Sequence, residues 1–476
     1  MRMKYRRRIV TAWLTAVLCL PTMLLAQEPN GSPKPAAREH LPLGILLNDQ
    51  GDTDSQPLTP DNRALTGAQT TTLGSPEIRH SYWVTGLQYG NFILSSSSQN
   101  PTVSDWNSTS YVGANLSLLQ SWRHAQFNVN YSGGGFSSND SIVGNGHYHQ
   151  VGMVQQFDWR RWQLSFIDQF AYLPQTQFGF GAGTNLALPG IGGTLATPSP
   201  ALQGSYVPNQ SIYSALGPRY SNAFVTQIGY GISRRSSLIL VGSYGLLDFT
   251  NPGNVDTNNA IFSAGYEYEL SKNSTLGVLY RFTAYHFAGQ PQAIGNHAAQ
   301  LAYGHKITGR IALQLLGGPE LTQLRVPINA SSQHISGAGT ANLTFAITKH
   351  TNLSGSYTHG LSGGSGVFTG AISDQVQGAW DHQLSRQWHG GIHFGYSRNS
   401  NIIQSGTQRT PQYNAWFAGA NLERALGQYA HFGLAYTANM ESSNQLIPST
   451  AVPSTSFTQH QLTIEFGWHT RPFIIR

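Results

Sequence analysis

From about residue 79 onward, apolar and polar positions alternate with a period of two, the pattern of strands that show one face to an apolar medium. Over residues 260–270, Phe262, Ala264, Tyr266, Tyr268 and Leu270 share one face, with Ser263, Gly265, Glu267 and Glu269 on the other. Over 275–287, Leu276, Val278, Tyr280 and Phe282 oppose Gly277, Arg281, Thr283 and Tyr285. Ala430, Phe432, Leu434 and Tyr436 oppose His431, Gly433, Ala435 and Thr437. The last strand sets Leu462, Ile464, Phe466 and Trp468 against Gln461, Thr463, Glu465 and Gly467. A sandwich and a barrel both produce such alternation, so the connections must decide.

Tight polar turns recur in one form, a strand ending in Leu or Ile, then Ser or Thr, then basic or small residues. Ile232-Ser233-Arg234-Arg235, Leu270-Ser271-Lys272-Asn273, Ile307-Thr308-Gly309-Arg310, Ile347-Thr348-Lys349-His350 and Leu384-Ser385-Arg386-Gln387 are examples. With related turns near residues 122, 160 and 426 there are eight, spaced roughly 38 residues apart with one doubled step, as antiparallel hairpins require. Longer loops rich in Asn, Gly, Pro and Ser lie between them. Sixteen strands joined by eight turns, plus one at each end, predict about 18 (16–18) strands. A sheet facing lipid has no water for its edge amides, so it must close on itself. The expectation is an all-β, closed antiparallel transmembrane barrel over 79–476, with short periplasmic turns and long extracellular loops. The doubled step is a single stretch, 174–218, rich in Gly and Pro and without alternation; a loop of that length is usually functional or disordered.

The segment before the strands divides in two. Lys4, Arg6, Arg7 and Arg8 precede an apolar run from Ile9 to Leu25 and a small residue, Ala26, which together predict a cleaved signal peptide over 1–26. Residues 27–78 are rich in Pro, Gly, Thr and Asp and read as a disordered or loosely docked periplasmic leader with one apolar island over 41–47. Cleavage removes Cys19, the only cysteine, and with it any disulfide scaffold or thiol nucleophile. It also changes the charge. The full chain has 27 Lys+Arg and 21 Asp+Glu; removing the five basic residues of 1–26 leaves 22 against 21, or +1. No concentrated cationic face remains for nucleic acid, so that partner class is excluded. Only 10% of residues are charged, against about 25% in ordinary globular domains, while aromatics reach 11% with 22 Tyr and 52 Gly. Such a composition suits a wall with lipid on one side.

The chain resembles Gram-negative outer-membrane barrels of the general-porin size class in its signal peptide, its strand number, its tight turns and its aromatic final strand, 461–468. It also looks like the β-barrel porins encoded near polysaccharide export systems. It departs from the class in continuing beyond Trp468 through His469 to Arg476; because Pro472 cannot donate to a ladder, the tail is expected to lie in the periplasm outside the strand. The resemblance implies a place in the cell outer membrane, with outer-membrane lipid and the barrel-assembly machinery as partners and a homotrimer as the assembly. It also implies that 174–218 folds inward as the constriction loop.

Pore-lining candidates are Glu267, Glu269, Arg281, Lys306, Asp381, His393 and Glu465, since charge on the lipid face is costly. Glu267, Glu269 and Arg281 alternatively form an ion-pair network that stiffens the wall. Asn115, Asn128, Asn130 and Asn342 suit a hydrated lining. Trp122, Trp159, Trp162, Trp388 and Trp468 fall at strand ends, as membrane-interface aromatics do, and Trp106 falls in the first long loop. His147 and His149, two apart, have metal-ligand spacing but no third ligand near them in sequence. No motif calls for a metal or cofactor, and no nucleophile elbow, zinc-protease motif or phosphate loop is present, so an enzyme is not expected. Three functions stay open: a pore for small hydrophilic solutes, sugars included; a structural or export barrel of a polysaccharide secretion system; and a barrel hydrolase with a loop-borne site.

Overall fold

The computed structural model describes residues 81–97, 106–139, 144–173, 218–250, 254–325, 332–364, 366–402, 410–444 and 456–475. The signal peptide, the leader and residues 174–217 of the expected constriction loop lie outside them. The described residues form strands and connections without a helix. In chain order the strands are β1 (Ser81–Ser97), β2 (Trp106–Ser121), β3 (Ala125–Ser138), β4 (Asn145–Asp158), β5 (Trp162–Leu173) and β6 (Arg219–Gly231). There follow β7 (Ser236–Phe249), β8 (Thr257–Ser271), β9 (Ser274–Phe287), β10 (Ala293–Thr308), β11 (Ile311–Arg325) and β12 (Ser332–Thr348). The last are β13 (Thr351–Ser362), β14 (Ala371–Gln383), β15 (Trp388–Asn401), β16 (Gln412–Ala425), β17 (Ala430–Ser443), β18 (Ser456–His469) and the short β19 (Phe473–Ile475).

Each strand from β1 to β18 pairs antiparallel with its chain neighbours, and β1 also pairs with β18, from Gly86–His469 to Ser97–Thr458. The sheet is therefore a closed barrel of 18 strands. The eight tight turns fall where the sequence places them, and the geometry explains their Ser or Thr. The Ser233 hydroxyl accepts from the amides of Arg235 (3.2 Å) and Ser236 (3.1 Å). Thr308 does the same for Arg310 and Ile311, and Ser385 for Gln387 and Trp388. One side-chain oxygen thus satisfies the amides that the reversal leaves unpaired.

One feature departs from expectation. The tail is not outside the sheet: after a break at 470–472, β19 pairs with Ser81–Trp83 of β1, and Phe473 stacks on Trp83 at 4.6 Å. Pro472 interrupts the strand without ending the pairing, and the Thr470 amide donates to the Thr85 carbonyl at 2.7 Å. A proline also lies inside β11: beside Pro319 the register skips Ala299 and Gln300 of β10, as a residue without a donor would require.

Register fixes which side each residue faces. Gln88 pairs with both Gly467 and Gly113, and Leu87 with Trp468 and Ala114. The Leu87 row is exposed and apolar around the barrel, with Leu87 59%, Val278 56% and Trp416 56% accessible. The Gln88 row is covered and largely polar, with Gln88 at 4% and Asn399 at 0%. The apolar face is thus the outside, the reverse of a water-soluble fold, where so large an exposed apolar surface is rare. Strands of 12 to 17 residues exceed the ~9–11 needed to cross a bilayer.

Candidate functional site

The inner wall is built from Asn, Gln, Ser and Thr at alternate positions. Ser117 donates to Asn130 at 2.6 Å, and Asn130 to Asn128 at 2.9 Å. Gln88 donates to the Tyr148 hydroxyl at 2.6 Å, while the Tyr148 ring lies over the bare backbone of Gly113, a glycine facing Gly134 in register. Other inward atoms, among them Asn115 Oδ1, Gln227 Oε1, Gln300 Oε1, Asn342 Oδ1 and Asn439 Oδ1, are buried without a protein partner. All of these oxygens belong to residues in inward register. Across β4 to β9 the wall also carries an apolar stripe: Val154, Ile167, Val225, Val241, Ile261 and Leu279.

All seven charged or histidine candidates sit in inward register. Glu267 stands opposite Ser237 and Gly277, and accepts from the Ser237 hydroxyl at 3.3 Å. Glu269 follows it toward the turn, opposite Thr275. Arg281 stands opposite Ser263 and Ala298, four positions along β8 from Glu267 or about 13 Å of strand, so Glu267, Glu269 and Arg281 are not cross-strand neighbours as a stiffening network would need. Lys306 pairs with Ala312, Asp381 with Asn352 and Gly391, and His393 with Ala379 and Gly419. Glu465, opposite Gly90 and Gly433, accepts from His431 at 3.1 Å.

The sequence reading missed several residues of this wall. Glu423 is buried opposite His389 and Gly433 with its Oε2 unpartnered. Glu320 accepts from Asn296 (2.9 Å) and Ser336 (3.2 Å), and Glu441 and Asp158 also face inward. Their signal was the alternation itself: Glu423 is offset by one from Trp416, Ala418, Ala420 and Leu422. The described inner wall thus holds eight carboxylates (Asp158, Glu267, Glu269, Glu320, Asp381, Glu423, Glu441, Glu465) against Arg219, Arg281 and Lys306. Six of the eight lie toward the tight-turn end.

At the opposite end the connection 363–370, between β13 and β14, turns inward. Phe368 is buried edge-on to Tyr413 of β16, with ring centroids 5.4 Å apart. The Gly366 carbonyl accepts from the Val255 amide at 2.8 Å, just before β8, and Thr369 donates to Gln292, just before β10, at 2.7 Å. Gly366 has a φ of 79° and lies against the Phe249 ring, so both backbone and space demand glycine there. One loop therefore touches the barrel from β7 to β10 and again at β16, reaching across the mouth at this end. The sequence showed only a Gly-rich loop; Val367-Phe368, an apolar pair within it, was the clue to its fold.

The interface tryptophans stand as follows. Trp122 and Trp159 are exposed in turns, Trp162 and Trp468 are exposed on the outer face, and Trp388 packs beneath the Arg424 guanidinium at 5.2 Å. All five are at the tight-turn end. Trp106 is not in a loop but opens β2, exposed on the outer face. His147 and His149 also point outward, against Tyr172 and Tyr131, and no group able to hold a metal occurs among the described residues.

Not every strand charge faces inward. Asp168 lies on the outer face midway along β5, in register with Met153 and Phe224, and accepts from Asn222 at 2.9 Å. Asp168→Asn keeps that partner and removes the charge. It is expected to raise the stability of the lipid-embedded barrel by about 1 kcal/mol, read from urea unfolding in vesicles. A lowered midpoint would show that the carboxylate itself is required.

No family model matches the chain, and no curated relative does. Among solved structures it is similar to Pseudomonas aeruginosa OpdQ, at 12% identity and a TM-score of 0.42, covering 82% of this chain and 98% of that one. It is similar to Pseudomonas aeruginosa OccK1 (OpdK), at 12% identity and 0.42, covering 82% and 99%. It is also similar to Acinetobacter baumannii OccAB1, at 9% identity and 0.42, covering 82% and 97%.

Proposed function

We propose that the chain is an outer-membrane pore that passes small hydrophilic solutes and prefers cations. The observation that carries this reading is the inverted barrel, apolar outside and hydrogen-bonding inside, with eight inward carboxylates against three inward Arg and Lys residues among the described residues. A closed sheet with such an exterior needs lipid around it. A lumen lined by one excess sign concentrates counter-ions. The inward 363–370 loop favours small solutes over a polymer in transit.

The hydrolase reading gains no support from the His pairs. His359, bonded to Asp374 at 2.6 Å on the outer face, has Gly339 and Asp374 as register partners and no serine. His305, bonded to Ser274 at 2.8 Å, has Leu313 on its other side and no carboxylate.

Purified protein in a planar bilayer should give discrete conductance steps with a reversal potential on the cation side under a KCl gradient. A barrel that inserts and stays closed would overturn the pore reading, and an anion-side potential would overturn the preference.

A further inference from the structure

The tight-turn end carries a second charge pattern that the pore does not use. Each of the seven tight turns from β2–β3 to β14–β15 contains Lys or Arg, Arg424 borders the eighth, and none contains Asp or Glu. The turn cations are exposed. The carboxylates of this end, by contrast, point into the lumen, so the two signs are separated radially. The other end shows no such ring: its described cations are Arg219, Arg325 and Arg398, among Asp248, Asp256, Asp374 and Glu441.

We propose that this rim binds the headgroups of anionic phospholipids in the adjoining leaflet. The inference rests on the reading of the chain as a membrane barrel. Just before the cation, six of the seven turns leave a large apolar side chain exposed: Trp122, Trp159, Ile232, Leu270, Ile307 and Leu384, while Ile347 before Lys349 is half-buried. A hairpin tip of this form sets an aliphatic group at the edge of the hydrocarbon and a cation beyond it, at the depth of the phosphates. Neighbouring tight turns are two strands apart, roughly 10 Å, which is close to the Debye length in physiological salt, so their fields merge into one positive band. Basic residues placed directly beside a bilayer attract anionic lipid. A soluble acidic partner would not need the exposed apolar residue that precedes the cation in six of the seven turns.

The test uses the full-length protein reconstituted into vesicles of equal phosphatidylglycerol and phosphatidylcholine, with the retained lipids identified by native mass spectrometry. The wild-type barrel should keep phosphatidylglycerol over phosphatidylcholine by about tenfold. The variant R234Q/R235Q/K272Q/R310Q should lose most of that preference, and 1 M salt should weaken it in the wild type. No preference in the wild type, full preference in the variant, or indifference to salt would each overturn the proposal. Conductance in the same vesicles should be the same for wild type and variant, because none of the four side chains lines the lumen. Lipid preference without conductance would count against the pore while leaving the rim proposal standing.

Discussion

Deleting residues 364–369 should raise single-channel conductance several-fold and widen the range of solutes that pass. The segment is anchored on both sides of the interior, through Phe368 on Tyr413 and through Gly366 and Thr369 on Val255 and Gln292. Pore conductance falls as the open cross-section shrinks, and a connection reaching from β14 to β7 takes up part of it at this mouth. The β13–β14 hairpin needs only a short turn, since Ser362 and Ala371 already pair in register, so the shortened barrel should still close. Phe368→Ala should give a smaller rise in the same direction, with more current noise, by removing one anchor. Liposome swelling with sugars of increasing size gives the second readout. Unchanged conductance in a properly folded deletion variant would mean that the limiting section lies elsewhere.

Replacing Glu267, Glu269, Glu423 and Glu465 with Gln should lower the cation-to-anion permeability ratio by on the order of tenfold. The inward count then changes from eight carboxylates against three cations to four against three. Amide replacements keep size and hydrogen bonding, so the strand registers should hold. Of the four, Glu423 and Glu465 flank Gly433 on neighbouring strands, so their substitutions should be compared singly and together. An unchanged reversal potential in the quadruple variant would remove these residues from ion selection. Conductance in dilute salt should fall alongside, because fewer cations are held near the mouth.

Strand positions and faces were legible in the sequence because both follow from local physics. Period-two alternation survives in a wall with different media on its two sides, and Ser or Thr at the tight turns has a local hydrogen-bonding task. This is why Glu267, Arg281 and Glu465 could be placed on the inner face from their neighbours alone. What escaped depends on contacts distant in sequence. The inward fold of 363–370 is set by Phe249, Ile294 and Tyr413, which lie on three other strands. Asp168 alternates correctly yet belongs to the face that the charge rule denies it, and only its pairing with Asn222, 54 residues on, shows how it is accommodated. Pro472 was misleading because a missing donor costs one rung and the pairing on either side tolerates the loss, as it does at Pro319 within β11.

The seam between the first and last strands sets the order in which this molecule can be made. Thr85 and Thr470 meet although 385 residues separate them, so the cylinder cannot be finished until almost the whole polypeptide has been delivered. Every earlier stage has two raw borders able to recruit stray chains. Synthesis that stops short of about residue 456 would thus yield an open, sticky ribbon instead of a narrower tube, and the cell's quality control should meet it as aggregate.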